Sequence, residues 1–230
     1  MLKIEKTVLP SPEQWDIIIE GMRNPMNSWD KSDSKFYIEH AECPVEACPL
    51  VEPEIGEADM KLMASLAKGG PVHAKYRRMI PVFLTVNAPL YWWKEFDTYK
   101  VGTVCNSCST MHKIHSKEFT LDDFSYEHLF NRASNYNGYI AKSVLECVIG
   151  ALNEYRGMFL ETKYKEHWWQ MIQLLPTSFN QKRTIMLNYE VLVNIYHSRK
   201  NHKLDEWHVF CDWIESLPYS ELITGGESNV

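Results

Sequence analysis

The sequence predicts an α+β protein folded as a single domain. Apolar runs at helical spacing dominate, recognisable strands are few, and the two do not alternate in the regular order that βαβ units require. With 230 residues, 45% hydrophobic and 23% charged, the chain can close a core without disulfide staples, which excludes disordered, collagenous and low-complexity classes.

The elements follow in order. Residues 11–22 read as a helix with Ser11 as N-cap and Pro12 in its first turn, its apolar side carrying Trp15, Ile18, Ile19 and Met22. From about 24 to 56 the chain is polar, broken by Pro25, Pro44, Pro49 and Pro53, and reads as an irregular excursion. Glu57 to Ala67 is a second helix stopped by Gly69-Gly70-Pro71. Ile80 to Val86 is a strand, and Asn87-Ala88-Pro89 ends it and opens a helix through Tyr91, Trp92 and Phe96. Thr98 to Met111 is a loop dense in small polar residues. Gly138 to Phe159 is the clearest long helix, with Ile140, Val144, Leu145, Val148, Ile149, Leu152, Tyr155 and Phe159 in helical register. A helix from Lys163 to Leu175 halts at Pro176. Arg183 to Leu187 is a strand, and a helix runs on through Leu192, Ile195 and Tyr196 to Arg199. A last helix spans Leu204 to Leu217, with Asp205-Glu206-Trp207-His208 as its capped start, and a polar tail follows from Gly225.

A net charge of −6 argues against a sequence-independent grip on nucleic acid, so any bound phosphate must meet a local cationic cluster. No apolar run approaches the ~18 residues of a membrane span, and Met1-Leu2-Lys3-Ile4-Glu5-Lys6 lacks a signal-peptide apolar region; the reading is a cytoplasmic protein with no membrane partner. Four of the six cysteines form close pairs, Cys43/Cys48 and Cys105/Cys108, the second followed by His112 and His115. That spacing admits zinc, but reduced, partly buried thiols are the expected state, and no metal is assigned.

Three stretches carry phosphate-competent chemistry. Gly69-Gly70-Pro71-Val72-His73 leads into Lys75, Arg77 and Arg78, which a solvated basic edge explains equally well. The hydroxyls and amides of the 98–110 loop are packed closely enough to offer several donors to one phosphate. Asn188 and Arg199 are eleven apart, close to three helical turns, and so project to one side, able to bond a planar heterocycle or fork a phosphate; an exposed face ending in a dipole-favoured Arg is the alternative. P-loop, GxSxG and HExxH patterns are absent, which removes the usual sequence support for triphosphatase, α/β-hydrolase and zincin chemistry.

The order of these pieces resembles the flavin-dependent thymidylate synthases. The residues that carry the resemblance are His73, Ala88-Pro89-Leu90-Tyr91, Lys113, Leu175-Pro176, Asn188, Leu192, Asn194 and Arg199, over about residues 57–217. Residues 1–56 form a divergent N-terminal part and 218–230 a tail. The resemblance implies an antiparallel sheet flanked by helices, and a homotetramer that methylates dUMP to dTMP at pyrimidine C5, using FAD, NADPH and methylenetetrahydrofolate. It implies that His73, Asn188 and Asn194 contact the flavin. Arg199, with Lys100, Asn106, Ser107 and Ser109 of the loop, would contact the pyrimidine nucleotide. No catalytic residue is assigned.

The signature loop departs from the family. Thr98-Tyr99-Lys100 stands where Arg-His-Arg belongs, Asn106-Ser107-Cys108-Ser109 approximates Asn-Glu-x-Ser, and Thr110-Met111 replaces Arg-Tyr. Without a gap Cys108 takes the serine's place. Glu95 and Glu190 stand for a glutamine and an arginine, and the arginine expected before Leu-Pro falls near Ile172. Each lost guanidinium forfeits a charge-assisted hydrogen bond of about 1.5–3 kcal/mol, so two losses weaken anion binding roughly a hundredfold or more. Three readings follow: a divergent enzyme of this family, a repurposed nucleotide- or partner-binding relative without flavin chemistry, and a zinc-stabilised binder. The aromatic surplus, with 8 Trp, points to the site as well, because Trp92 and Trp93 diverge by about 100° on a helix and are not expected to face one core.

Overall fold

The computed structural model describes residues 1–36 and 53–225. The chain begins with β1 (Lys3–Val8) and α1 (Pro12–Arg23), passes two 3₁₀ turns at Asn24–Met26 and Trp29–Lys31, and resumes at α2 (Glu57–Lys68). A 3₁₀ turn at Lys75–Met79 leads to β2 (Pro81–Pro89), α3 (Leu90–Phe96), β3 (Val104–Ser107), the long α4 (Ala141–Thr162) and α5 (Lys165–Leu174). β4 (Asn180–Asn188), α6 (Tyr189–Arg199), α7 (Asp205–Glu215) and the single-turn α8 (Glu221–Thr224) complete it. The strands form a four-stranded antiparallel sheet in the order β1-β2-β4-β3, the α+β arrangement that the sequence predicts.

Local chemistry explains the termini of these elements. Ser11 caps α1 in a reciprocal box with Gln14: its hydroxyl accepts the Gln14 N–H at 3.3 Å while its own N–H donates to Gln14 Oε1 at 2.9 Å. α2 is capped from a distance, because Asp33 accepts the backbone N–H groups of Ala58 at 2.9 Å and Asp59 at 3.2 Å. A Cβ on the preceding residue, Gly56, would fall 2.1 Å from Asp33 Oδ1, so only glycine admits that cap. α7 starts at Asp205 without the side-chain cap that its acidic opening suggests.

Two compact units interleave along the chain. The first comprises Met1–Lys6, Thr85–Thr98 and Cys105–Ile185. Its α4 packs on α5, and its core gathers Ile114, Phe119, Phe124, Leu145, Leu152 and Met171. The second comprises Thr7–Leu84, Tyr99–Val104 and Met186–Val230. There α6 packs on α7, α8 and the 75–79 turn, and the apolar face of α1 packs on the same turn.

Several sequence expectations change. β1 has the burial pattern of an edge strand, with Lys3, Glu5 and Lys6 exposed, so it carries no apolar alternation to detect. All four residues of β3 are exposed, and they lie inside what reads as a polar loop. β2 continues through Asn87-Ala88-Pro89, and α8 interrupts the expected tail. Trp92 and Trp93 are both fully buried: their rings meet edge to face at 4.8 Å and each contacts Phe96. The Trp93 indole N–H also donates to the Gln181 carbonyl at 2.8 Å. A seven-residue helix enclosed by its own unit can bury adjacent side chains, which a half-exposed helix cannot. Cys43, Cys48 and residues 37–52 of the irregular excursion lie outside the described residues.

Candidate functional site

In the first unit, the loop that follows β3 is pinned to β4. The Cys108 N–H donates to the Lys182 carbonyl at 2.9 Å, and Gln181 Nε2 donates to the Cys108 carbonyl at 2.7 Å. Gln181 is buried and cannot swing away, since its Oε1 accepts Arg183 Nε at 2.9 Å. The Ser109 hydroxyl then accepts the N–H groups of His112 at 2.8 Å and Met111 at 3.3 Å, folding the next residues into a tight turn. Together these bonds shape a cavity of about 460 Å3, within the size range of small-molecule sites. Ile114, Phe119 and Phe179 give it an apolar floor, while Asn87, Ser109, Thr110 and Asn180 supply polar atoms.

Its charge is predominantly positive, from Lys113, Lys117 and Lys182 against Asp123. Lys117 is paired with Asp123 and Lys182 with Glu5. The bond to Glu5, then its charge, then the nearby Cys108 hold the Lys182 amine above its ordinary pKa. Lys113 has no ion-pair partner among the described residues, which leaves one uncommitted ammonium beside two hydroxyls. Such a set suits a phosphate monoester. Of the loop residues expected to hold a nucleotide, Ser109 lines this cavity, whereas Asn106 and Ser107 are exposed on β3 and do not.

The sequence reading overlooked the lysines at 117 and 182, which only the pinning of the loop to β4 brings together. It also overlooked Arg183, whose Nε and Nη1 are both engaged within the unit. Arg183 Nη1 bonds Asp97 at 2.7 Å and lies 3.8 Å from Cys105 Sγ, and the guanidinium stacks 4.3 Å over the Trp93 ring. It is a clamp between α3 and the strands rather than a spare anion receptor.

The second unit holds the remaining candidates. Arg199 Nε donates to the Tyr99 hydroxyl at 2.9 Å, and its guanidinium lies 4.8 Å over the buried Trp207 ring and 5.6 Å from that of Tyr99. Tyr99 belongs to the 98–111 loop, so here that loop and Arg199 are bonded to one another. Asn188 departs from the helical-face expectation. It is the N-cap of α6, with extended φ −139° and ψ 171°, and its Oδ1 accepts the Val191 N–H at 3.1 Å. Gly102 approaches the same point with φ +78°, and a Cβ there would meet Asn188 Nδ2 and Val191 Cγ2 at 3.1 Å. Lys100 and Asn194 are exposed, as is His73, whose N–H donates to Gly70 O at 3.0 Å within a turn.

Glu190 has its Oε2 buried without a hydrogen-bond partner among the described residues. Its charge reaches Tyr76, whose phenol is pushed up to about 12, first by burial, with Arg77 opposing and Glu190 reinforcing.

These arrangements bear on the flavin. A dinucleotide of this kind needs donors for its ring system and cations for its diphosphate. Asn188 has already committed its carbonyl oxygen to α6, and none of His73, Asn188 and Asn194 lines the 250 Å3 cavity of the second unit, which is bounded by Met60, Arg77, His197 and Ile223 among others. Nor does a group of three or more His, Cys, Asp or Glu able to hold a metal occur among the described residues. No described helix is long and apolar enough to cross a membrane.

No protein-family model matches the chain, and no curated protein matches it. Solved structures do. Thymidylate synthase X from Helicobacter pylori, with FAD and dUMP, superimposes with a TM-score of 0.60 at 14% identity, covering 97% of this chain and 95% of that one. A second structure of the Helicobacter pylori flavin-dependent enzyme, complexed with FAD and dUMP, gives 0.59 at 13% identity, covering 97% and 96%. A UMP/dUMP methylase, PolB from Streptomyces cacaoi, bound with 5-Br dUMP, gives 0.61 at 13% identity, covering 98% and 94%. What these likenesses establish for this chain is its fold, that of the flavin-dependent thymidylate synthases.

Proposed function

We propose that this protein binds a pyrimidine deoxynucleotide of the dUMP type in the first-unit cavity, with the phosphate at Lys113, Lys182 and the Ser109–Thr110 hydroxyls. The observation that carries the reading is a 460 Å3 cavity with excess positive charge and one lysine that has no ion-pair partner among the described residues, on a fold whose solved neighbours hold dUMP or 5-Br dUMP. The apolar floor suits the faces of a base and sugar, while Asn87 and Asn180 can bond the polar edge of a pyrimidine. Lysines substitute as point charges for the forked arginines that the signature loop lacks.

FAD binding is suggested by likeness to the Helicobacter pylori structures, whereas C5 one-carbon transfer with NADPH and methylenetetrahydrofolate in a homotetramer rests on the resemblance of the sequence alone. A nucleotide binder without flavin chemistry is favoured by two particulars: the Asn188 carbonyl oxygen caps α6, and Glu190, which by the resemblance stands for a family arginine, buries one carboxylate oxygen without a hydrogen-bond partner among the described residues.

Thermal-shift and absorbance measurements on the purified protein test these readings together. A dUMP-dependent rise in melting temperature supports nucleotide binding, and its absence refutes it. Yellow protein, or uptake of added FAD with NADPH oxidation when dUMP is supplied, selects the flavoenzyme; colourless protein that takes up no FAD selects the binder.

A further inference from the structure

The amide of Asn180, the first residue of β4, is held so that it shows the cavity a donor and not an acceptor. Its Oδ1 accepts the Ser125 hydroxyl at 2.9 Å, which leaves Nδ2 as the atom of that amide without a hydrogen-bond partner among the described residues. Asn180 lines the cavity, and Ser125 stands behind it, outside the lining. The serine is fixed in turn. It is buried, its N–H donates to the Ser178 carbonyl at 2.8 Å, and the adjoining Phe124 and Phe179 form an antiparallel bridge. The Met1 nitrogen donates to the Ser125 hydroxyl oxygen at 2.7 Å, so the serine's own hydrogen is directed at Asn180. Turning the amide over would set Nδ2 against the hydroxyl and leave that buried hydrogen without an acceptor among the described residues, an arrangement that buried polar groups avoid.

Two other polar groups of the lining leave the choice of base to Asn180. Asp123, the one carboxylate there, already accepts Lys117 through Oδ1 and the Thr120 N–H and hydroxyl through Oδ2. The Asn87 side chain forms no hydrogen bond among the described residues and can turn its amide to suit either base. At C4 a uracil carries a carbonyl oxygen, an acceptor, where a cytosine carries an amine, a donor, and the two rings are otherwise alike in size and shape. We propose that Asn180 Nδ2 donates to O4 of the bound pyrimidine, and that Ser125, as a positioning residue, thereby makes the cavity select uracil over cytosine nucleotides. This rests on the nucleotide reading and specifies which base the same cavity takes. An asparagine free to turn would match either base. With Oδ1 held by Ser125, a cytosine sets amine against amine, and both groups leave water without gaining a bond.

The test is calorimetric titration of the full chain with dUMP and dCMP, which carry the same sugar and phosphate. Wild-type protein is expected to bind dUMP about tenfold to a hundredfold more tightly than dCMP. Ser125→Ala frees the amide and should bring the two affinities within about threefold of each other while dUMP itself weakens less than about tenfold; Ser125→Thr, which keeps a hydroxyl, should restore the preference. A serine that only supported the fold would lower both affinities together and leave their ratio unchanged. Asn180→Asp keeps the buried serine and shows the base an acceptor, so it reads the same contact even if the serine variants do not fold. It should shift the ratio toward dCMP by about tenfold or more, although the added charge weakens both ligands. Comparable wild-type affinities for dUMP and dCMP, or a dUMP preference unchanged in either Ser125→Ala or Asn180→Asp, overturn the proposal and leave the nucleotide reading standing. Absence of dUMP binding overturns both.

Discussion

Asp59 offers a perturbation whose size follows from its surroundings. Its carboxylate is fully buried and accepts Arg23 Nε at 2.6 Å, the hydroxyls of Ser34 at 2.6 Å and Ser32 at 2.7 Å, and the N–H groups of Asp33 and Ser34 at 3.2 Å. Arg23 is buried as well, and its remaining nitrogens bond the carbonyls of Ser28 at 3.1 Å and Lys31 at 2.9 Å. This pair fastens the segment after α1 to α2. Burial pushes the Asp59 carboxyl up, but the Ser34 and Ser32 hydroxyls and the Arg23 guanidinium outweigh it and hold the group below its ordinary range. Asp59→Asn keeps the shape, leaves the guanidinium uncompensated and turns an amide donor toward other donors. Breaking a buried pair on one side costs about 3–5 kcal/mol. At about 2–4 °C per kcal/mol for a chain of this length, the melting temperature should fall by about 6–20 °C. The pH dependence has a definite sign. A depressed folded-state pKa contributes stability that is present above the unfolded value, near 4, and is lost as pH falls through the folded value. The gap between wild type and Asp59→Asn should therefore be full at neutral pH and close in acid. Urea denaturation followed by circular dichroism at several pH values reads both quantities. A loss under about 1 kcal/mol at neutral pH, or a gap that does not narrow in acid, refutes the reasoning.

Three further substitutions probe the site and its supports. Lys113→Ala should weaken dUMP binding by about tenfold to a hundredfold, the worth of one charge-assisted bond, with little change in stability because that ammonium has no ion-pair partner among the described residues; calorimetry and melting curves separate the two effects. Gly102→Ala must adopt φ +78° and press on Asn188 and Val191, so it should cost about 1–3 kcal/mol in urea denaturation. Trp93→Phe removes the donor to the Gln181 carbonyl and trims the ring beneath Arg183, and should cost about 1–3 kcal/mol, whereas an unchanged stability would mean that the indole N–H is not paired there.

The parts of the fold legible in the sequence are those whose signal is local. Ser11, Pro12 and the Trp15–Ile18–Ile19–Met22 stripe specify α1, and eight apolar positions in register specify α4. β1 and β3 escape because edge strands carry charge and expose both faces. Asn188 misleads a face count because a cap residue has the type but not the backbone of the helix that follows. The cavity is the least legible feature. Asn87, the 108–117 turn and Asn180–Lys182 are distant in sequence and meet only because Gln181 and Cys108 bond across β4, a pairing that no spacing rule announces. Ser109 alone of the loop's expected ligands lines the cavity, while Asn106 and Ser107 are exposed on β3. Trp92 and Trp93 show the converse: a correct angular argument gave a wrong environment, because it took one side of α3 to be exposed.

The central claim is that Lys113 and Lys182, in the lining of the first-unit cavity, receive the phosphate of a pyrimidine nucleotide. Calorimetric titration of the protein with dUMP and with deoxyuridine tests it most directly, since the ligands differ only in that phosphate. Saturable binding of dUMP, with deoxyuridine at least about tenfold weaker, is the predicted result. Equal affinities for the two, or no binding of dUMP, would contradict it.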